Sequence, residues 1–305
     1  MSKKLRYVGL ALILLVSTFL AACGSSDDKK DVDLQVEKGK DKLTIPYVNW
    51  ARETPVTYLL AEVLEDVGYD VDVKQVEAGP MYSSVADGSA DFHASGWLPT
   101  THKDYWEKYK DDLVKVNETL DKAPLALAVP EYVKDVNSIE DLKDNKKFAK
   151  SVNNEIIGID AGAGIMESTK TALKEYDLDD WKLTSSSESA MITELRKAYK
   201  KKEPIVVPLW KPHWVFGVYD MKMLDDPKEV YGGDGDQIYI IANKDLEKDA
   251  PAAYKILEQY TEDYDMVEEL MPQVFDEDKD PKDVARKFID DNPDLVKKWT
   301  KGVVK

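Results

Sequence analysis

Residues 206–216 read VVPLWKPHWVF, and residues 90–106, ADFHASGWLPTTHKDYW, repeat the recipe. In each, a short apolar run closes on a tryptophan (Trp210, Trp97), with a proline two positions on (Pro212, Pro99) and a histidine close behind (His213, His102). Proline fixes φ and has no N–H to donate, so it cannot continue a central strand. The pattern therefore reads as a strand exit that presents an indole rigidly. Two such exits in one chain point to two units of one construction.

Outward from these exits, short apolar runs alternate with amphipathic helical patterns. Residues 43–48 (LTIPYV) read as a strand. Over 54–67, Val56, Leu59, Leu60, Val63, Leu64 and Val67 recur on one helix face, closed by Gly68. A strand at YDVDVKQVE, a helix around MYSSVADG, a strand at ADFHAS and a buried strand at LALAV (125–129) follow. Further on, Ser138 and Asp141 have capping-box spacing. A strand over 156–159 runs into GIDAGAGIM, then come helices over 165–176 and 190–200, the buried strand PIVVPLW and the strand DQIYIIAN. Residues 251–299 read as helices with breaks expected at Pro272, Pro281 and Pro293. Short strands joined by helices predict an α/β sandwich with parallel pairing. Trp50 precedes Trp97 by 47 residues and Gly164 precedes Trp210 by 46. This layout predicts two lobes facing across a cleft lined by loops at strand ends.

The 305 residues are 43% hydrophobic, enough for a substantial core. A net charge of −17 argues against nucleic-acid binding, which draws on clustered Lys and Arg. The first residues, MSKKLRYVGLALILLVSTFLAACGSS, have a basic head, an apolar run too short for a membrane span, and small residues before Cys23. Residues 1–22 are expected to be a signal peptide, and LAAC at 20–23 looks like a lipobox that directs lipidation of Cys23. Cys23 is the sole cysteine, so it has no disulfide partner in the chain. Loss of Lys3, Lys4 and Arg6 with the signal takes the net charge to −20. Residues 23–42 are polar and charged, and read as a flexible tether anchored to the membrane by its lipid.

No catalytic signature stands out: there is no GxSxG, no HExxH, and the chain has three histidines. DEDKD (276–280) superficially resembles a calcium loop, but Pro281 and Lys287 occupy its glycine and bidentate-glutamate positions. GAGIM lacks the GK[ST] of a phosphate loop, and Glu167 stands where a dinucleotide fingerprint needs its third glycine. No metal or cofactor is expected. GAGIM does open a helix, whose free N–H groups favour an anion. Trp50, Trp97 and Trp210 each follow a predicted strand, where three indole faces could box a cation, each desolvated contact contributing about 1–2 kcal/mol. A quaternary ammonium suits such a box, having charge but no N–H to satisfy. Trp106, Trp181, Trp214 and Trp299 are assigned to packing.

YVNW, EAGPM, GSADF, GWLPTTH, NSIEDLK, GIDAGAGIM, WKPHW and DDPKEVYG together resemble the glycine betaine-binding lipoproteins of osmoprotectant ABC importers, from about residue 43 to residue 301. Some relatives carry the two halves in the opposite order. The resemblance implies an α/β, two-lobed, periplasmic-binding-protein-like fold of type II, with residues 43–124 and 245–305 as lobe 1 and 125–244 as lobe 2. It implies an ammonium cage of Trp50, Trp97 and Trp210, and a carboxylate site of the Gly164 and Ile165 N–H groups with His102. It further implies delivery of glycine betaine or a similar zwitterion to a membrane permease from the extracytoplasmic face, without catalysis. Choline and carnitine are the alternative ligands. Relatives carry an acid after the first tryptophan and a small polar residue after the third, where this chain has Ala51 and Lys211. Lys211 is expected to point outward or to pair with a carboxylate, because an ammonium in the cage would repel the ligand.

Overall fold

The computed structural model describes residues 35–303. The expected signal peptide (1–22) and Cys23 lie outside the described residues. Ten strands are described: β1 (Lys42–Tyr47), β2 (Asp70–Gln75), β3 (Phe92–Leu98), β4 (Leu113–Ala123), β5 (Leu125–Pro130), β6 (Glu155–Ile157), β7 (Lys182–Thr184), β8 (Val207–Trp210), β9 (Met221–Met223) and β10 (Asp236–Asn243). The pairs β1–β2 and β6–β7 are parallel, as the alternation of strands and helices predicts. The other two sheets, β3–β10–β4 and β8–β5–β9, are antiparallel, which corrects the expectation of parallel pairing throughout. In both, the central strand finds partners far away in sequence, and local periodicity carries no information about their direction.

The amphipathic stretch after β1 is the helix Glu53–Asp66, whose Leu59, Leu60, Val63 and Leu64 are fully buried. Each such side chain contributes about 1.5–3 kcal/mol by leaving water. The capping box at Ser138 is formed, with the Asp141 carboxylate accepting from the Ser138 N–H. Pro281 and Pro293 start helices, at the first-turn position where a missing N–H costs nothing. Pro272 does not break the chain as expected but lies inside the helix Tyr264–Phe275. Glu268, whose carbonyl loses its partner, is exposed to water, while Met266, Val267, Leu270 and Met271 hold the opposite face in the core.

Two boundaries differ from the sequence reading. Residues 36–42, expected in the flexible tether, are docked: the Val36 N–H donates to the Gly302 carbonyl and the Lys40 N–H to the Asp249 carbonyl. Gly39, at φ 78°, passes so close to Asp249 that a Cβ would lie 2.4 Å from its carbonyl oxygen. β10, expected with lobe 2, instead hydrogen-bonds to β3 and β4 of lobe 1. The chain crosses between the halves at two adjacent places, where Asp236 pairs with Ala123. Immediately beyond, Leu125 pairs with Trp210 in the other half. Among the described residues no helix is long and apolar enough to cross a membrane.

Candidate functional site

Between the halves lies a cavity of about 290 Å³ lined by Trp50, Trp97, Trp210, His102, Gly164 and Ile165, all six of the residues expected to bind ligand. Glu53, Thr101, Leu125, Ile159 and Ala163 complete the wall. The three indoles are 4–5% exposed, so a cation among them would be largely desolvated, the condition under which an aromatic face attracts it most.

Each tryptophan is held by a different device. Trp50, three residues beyond β1, donates its Nε1–H to Asp160 Oδ2 across the cavity at 3.0 Å and stacks on the His102 ring at 6.0 Å. Trp97, within β3, donates Nε1–H to Glu53 Oε1 at 3.0 Å. Glu53 also accepts from the Ser95 hydroxyl at 3.1 Å and lies 3.5 Å from the Arg52 guanidinium. Burial pushes the Glu53 carboxyl up, with Arg52 and the donors from Trp97 and Ser95 opposing. Arg52 is itself fully buried and satisfied by Ala94, Thr119 and Glu262. Trp210 closes β8; its Nε1–H is buried without a partner among the described residues, and its ring packs against His213 in a T-shaped contact at 4.9 Å.

Glu188 bridges two of these walls. Its Oε2 accepts from the N–H of Ala51, next to Trp50, at 3.1 Å, and its Oε1 lies 3.2 Å from His213 Nε2. The His213 contact is close enough for charge attraction but lies off the line of a hydrogen bond, which leaves Nε2 unbonded among the described residues. His213 Nδ1 accepts from the Val215 N–H at 3.1 Å, so the proton is on Nε2, facing the carboxylate.

The opposite end of the cavity is polar. The helix Gly164–Glu175 begins there without a side-chain cap, and the N–H groups of Gly164 and Ile165 have no protein partner among the described residues. Glycine is required at 164, since a Cβ would lie 2.0 Å from the Thr101 carbonyl oxygen. The Thr100 and Thr101 N–H groups donate to the buried Asp236 carboxylate at 2.7 and 2.8 Å, which fixes the loop carrying His102. Tyr105 closes the rim by donating its hydroxyl hydrogen to the Gly162 carbonyl at 2.8 Å. One end thus offers indole faces and the other free N–H groups at a helix start, the two halves of a zwitterion's complement.

Lys211 stays outside this cavity. It is exposed, with Nζ 4.8 Å from the centroid of the Phe216 ring. Trp181, Trp214 and Trp299 are buried packing residues, and Trp106 lies half-buried beneath Lys115. Sequence reasoning missed Glu53 and Glu188.

Comparison with known proteins places the chain among relatives. Residues 41–291 match the family model described as the substrate binding domain of ABC-type glycine betaine transport system. A curated relative, the glycine betaine/carnitine transport binding protein GbuC of Listeria monocytogenes, is 48% identical over 162 residues, 52% of this chain and 53% of that protein. The match thus spans about half the length of that relative. A solved structure of a glycine betaine/L-proline-binding protein from Borrelia burgdorferi is 37% identical, with a TM-score of 0.81 over 85% of this chain and 96% of that one. Lactococcal OpuAC, closed on glycine betaine, is 36% identical, with a TM-score of 0.80 over 86% of this chain and 100% of its own.

Proposed function

The chain belongs to the family of substrate-binding domains of ABC-type glycine betaine transport systems, and from that premise we propose that its cavity captures glycine betaine or a closely related zwitterion for an ABC importer. The observation that carries this reading is the meeting of three buried indoles with two unpartnered N–H groups and His102 in one cavity. Trp50, Trp97 and Trp210 take the trimethylammonium group; Gly164, Ile165 and His102 take the carboxylate. Three cation-π contacts and the charge-assisted hydrogen bonds are ample for micromolar binding, which needs about 8 kcal/mol net of association costs. A bare quaternary cation such as choline would leave the Gly164 and Ile165 N–H groups with no anion to bind. Contacts across the cavity, Trp50 to Asp160 and Ala51 to Glu188, favour a closed state that excludes water. The protein binds and hands over its ligand without altering it.

Residues 43–123 with 236–303 form one lobe of this receptor and residues 124–235 the other. Export and lipidation at Cys23 hold it on the extracytoplasmic face of the membrane beside its permease, where it serves osmoprotection. Indole fluorescence provides the direct test. Glycine betaine should shift the emission saturably at micromolar concentration; a flat titration to millimolar ligand would overturn the reading. Substituting Cys23→Ala should release the protein from the membrane fraction, and its retention would argue against the lipid anchor.

A further inference from the structure

His102 turns one ring nitrogen to the protein and the other to the cavity. Nδ1 lies 2.9 Å from the Ser95 carbonyl oxygen, 3.2 Å from the Tyr82 hydroxyl and 3.3 Å from the Trp97 amide nitrogen. The Trp97 N–H points at Nδ1 from the longest of these distances, whereas the Ser95 carbonyl is the nearest and can only accept, so the shorter contact puts the proton on Nδ1. A neutral imidazole has one N–H, which leaves Nε2 as a lone pair. The hydrogen bonds of the ring among the described residues all fall on Nδ1, and the ring lines the cavity. A lone pair directed at a carboxylate repels it, whereas an N–H attracts it. We propose that the imidazolium form of His102 is the form that accepts a carboxylate ligand, so that a zwitterion binds with uptake of one proton and the neutral ring selects against it. This rests on reading the cavity as a zwitterion site.

The groups around the ring make that proton depend on the ligand. Asp236, at the start of β10, is the nearby anion, and its attraction favours the imidazolium. From the helix Ala78–Ala86, Tyr82 is kept protonated by burial, and on the histidine's own helix Tyr105 is raised in the same way. On β3, burial pushes His93 down to about 3, so it adds no charge. Glu53 shares the cavity but is tied to Trp97, Ser95 and Arg52, and Asp160 is tied to Trp50. In the unliganded cavity burial pushes His102 down to about 4, with the Ser95 carbonyl and Asp236 opposing. A ligand carboxylate against Nε2 raises it. The sign follows: above about pH 4, and up to the raised value of the complex, binding takes up one proton, and affinity falls about tenfold for each unit of rising pH.

The test is calorimetric titration of the purified full chain with glycine betaine between pH 5.5 and pH 8, at each pH in two buffers of different ionisation enthalpy. The expected result is net proton uptake on binding glycine betaine and a Kd that rises with pH across the range. His102→Gln supplies a permanent N–H donor, so its glycine betaine affinity should be flat across the range, with no proton uptake. Saturable binding with buffer-independent heat and a flat Kd in the unsubstituted protein would overturn the inference while sparing the functional reading. A pH slope that persists in His102→Gln would overturn it too. Absence of glycine betaine binding throughout the range would remove the reading and the inference together.

Discussion

The exits at Trp97 and Trp210 are built from the same residue types and perform different tasks. At Trp97 the indole N–H is held by the Glu53 carboxylate, and His102, five residues on, turns into the cavity. At Trp210 the N–H is buried without a partner among the described residues, and His213, three residues on, stays behind the ring beside Glu188. Spacing makes the difference. Three residues allow only a tight turn behind the tryptophan; five allow a loop, pinned by Asp236, to wrap round to the cavity. One exit supplies a wall and a polar contact, the other a wall and its brace.

The comparison can be broken by substitution. Trp97→Ala should have the largest effect, because it removes an aromatic face worth about 2 kcal/mol to the cation and also strips the buried Glu53 of a donor, at a cost of about 1–3 kcal/mol; Kd for glycine betaine should rise by two orders of magnitude or more. Trp210→Ala leaves no carboxylate stranded, so its loss should be nearer the about 2 kcal/mol of one desolvated cation-π contact, roughly thirtyfold. Equal losses in the two variants, measured by calorimetry, would erase the distinction between the exits. Glu188→Gln keeps an acceptor for the Ala51 N–H but removes the charge facing His213. It should weaken binding by about fivefold, about 1 kcal/mol, as the carboxylate's attraction for the facing His213 ring is lost. An unchanged Kd would show that the brace does not matter. Lys211→Ala should change Kd by less than about twofold, since its ammonium rests on Phe216 in solvent and its contact is worth only about 0.5–1 kcal/mol. A tenfold gain would place the lysine's charge within reach of the cage.

What the sequence disclosed and what it hid follow from the same physics. The tryptophan–proline exits were legible because proline ends a strand and tryptophan is scarce, and the GAGIM helix start because glycine there allows a close approach to Thr101. Glu53 and Glu188 were invisible. Both lie in the first turn of a helix, where an acidic residue is the ordinary response to the helix dipole, and nothing local separates a braced cavity carboxylate from a solvated one. β4 was missed because LVKVNETLDKA loses its apolar alternation midway, and its pairing with β10 is set by residues more than a hundred positions away. The docking of residues 36–42 was hidden for a similar reason, since the polar segment is held by backbone hydrogen bonds to Gly302 and Asp249.

The central claim is that one cavity reads both ends of a zwitterion, and the measurement that tests it most directly is a crystal structure of the protein with glycine betaine. The account predicts the trimethylammonium group between Trp50, Trp97 and Trp210, and the carboxylate within about 3 Å of the Gly164 and Ile165 nitrogens and of His102 Nε2, the range of charge-assisted hydrogen bonds. A ligand bound the other way round, or one whose carboxylate stays in water away from the helix start, would contradict it.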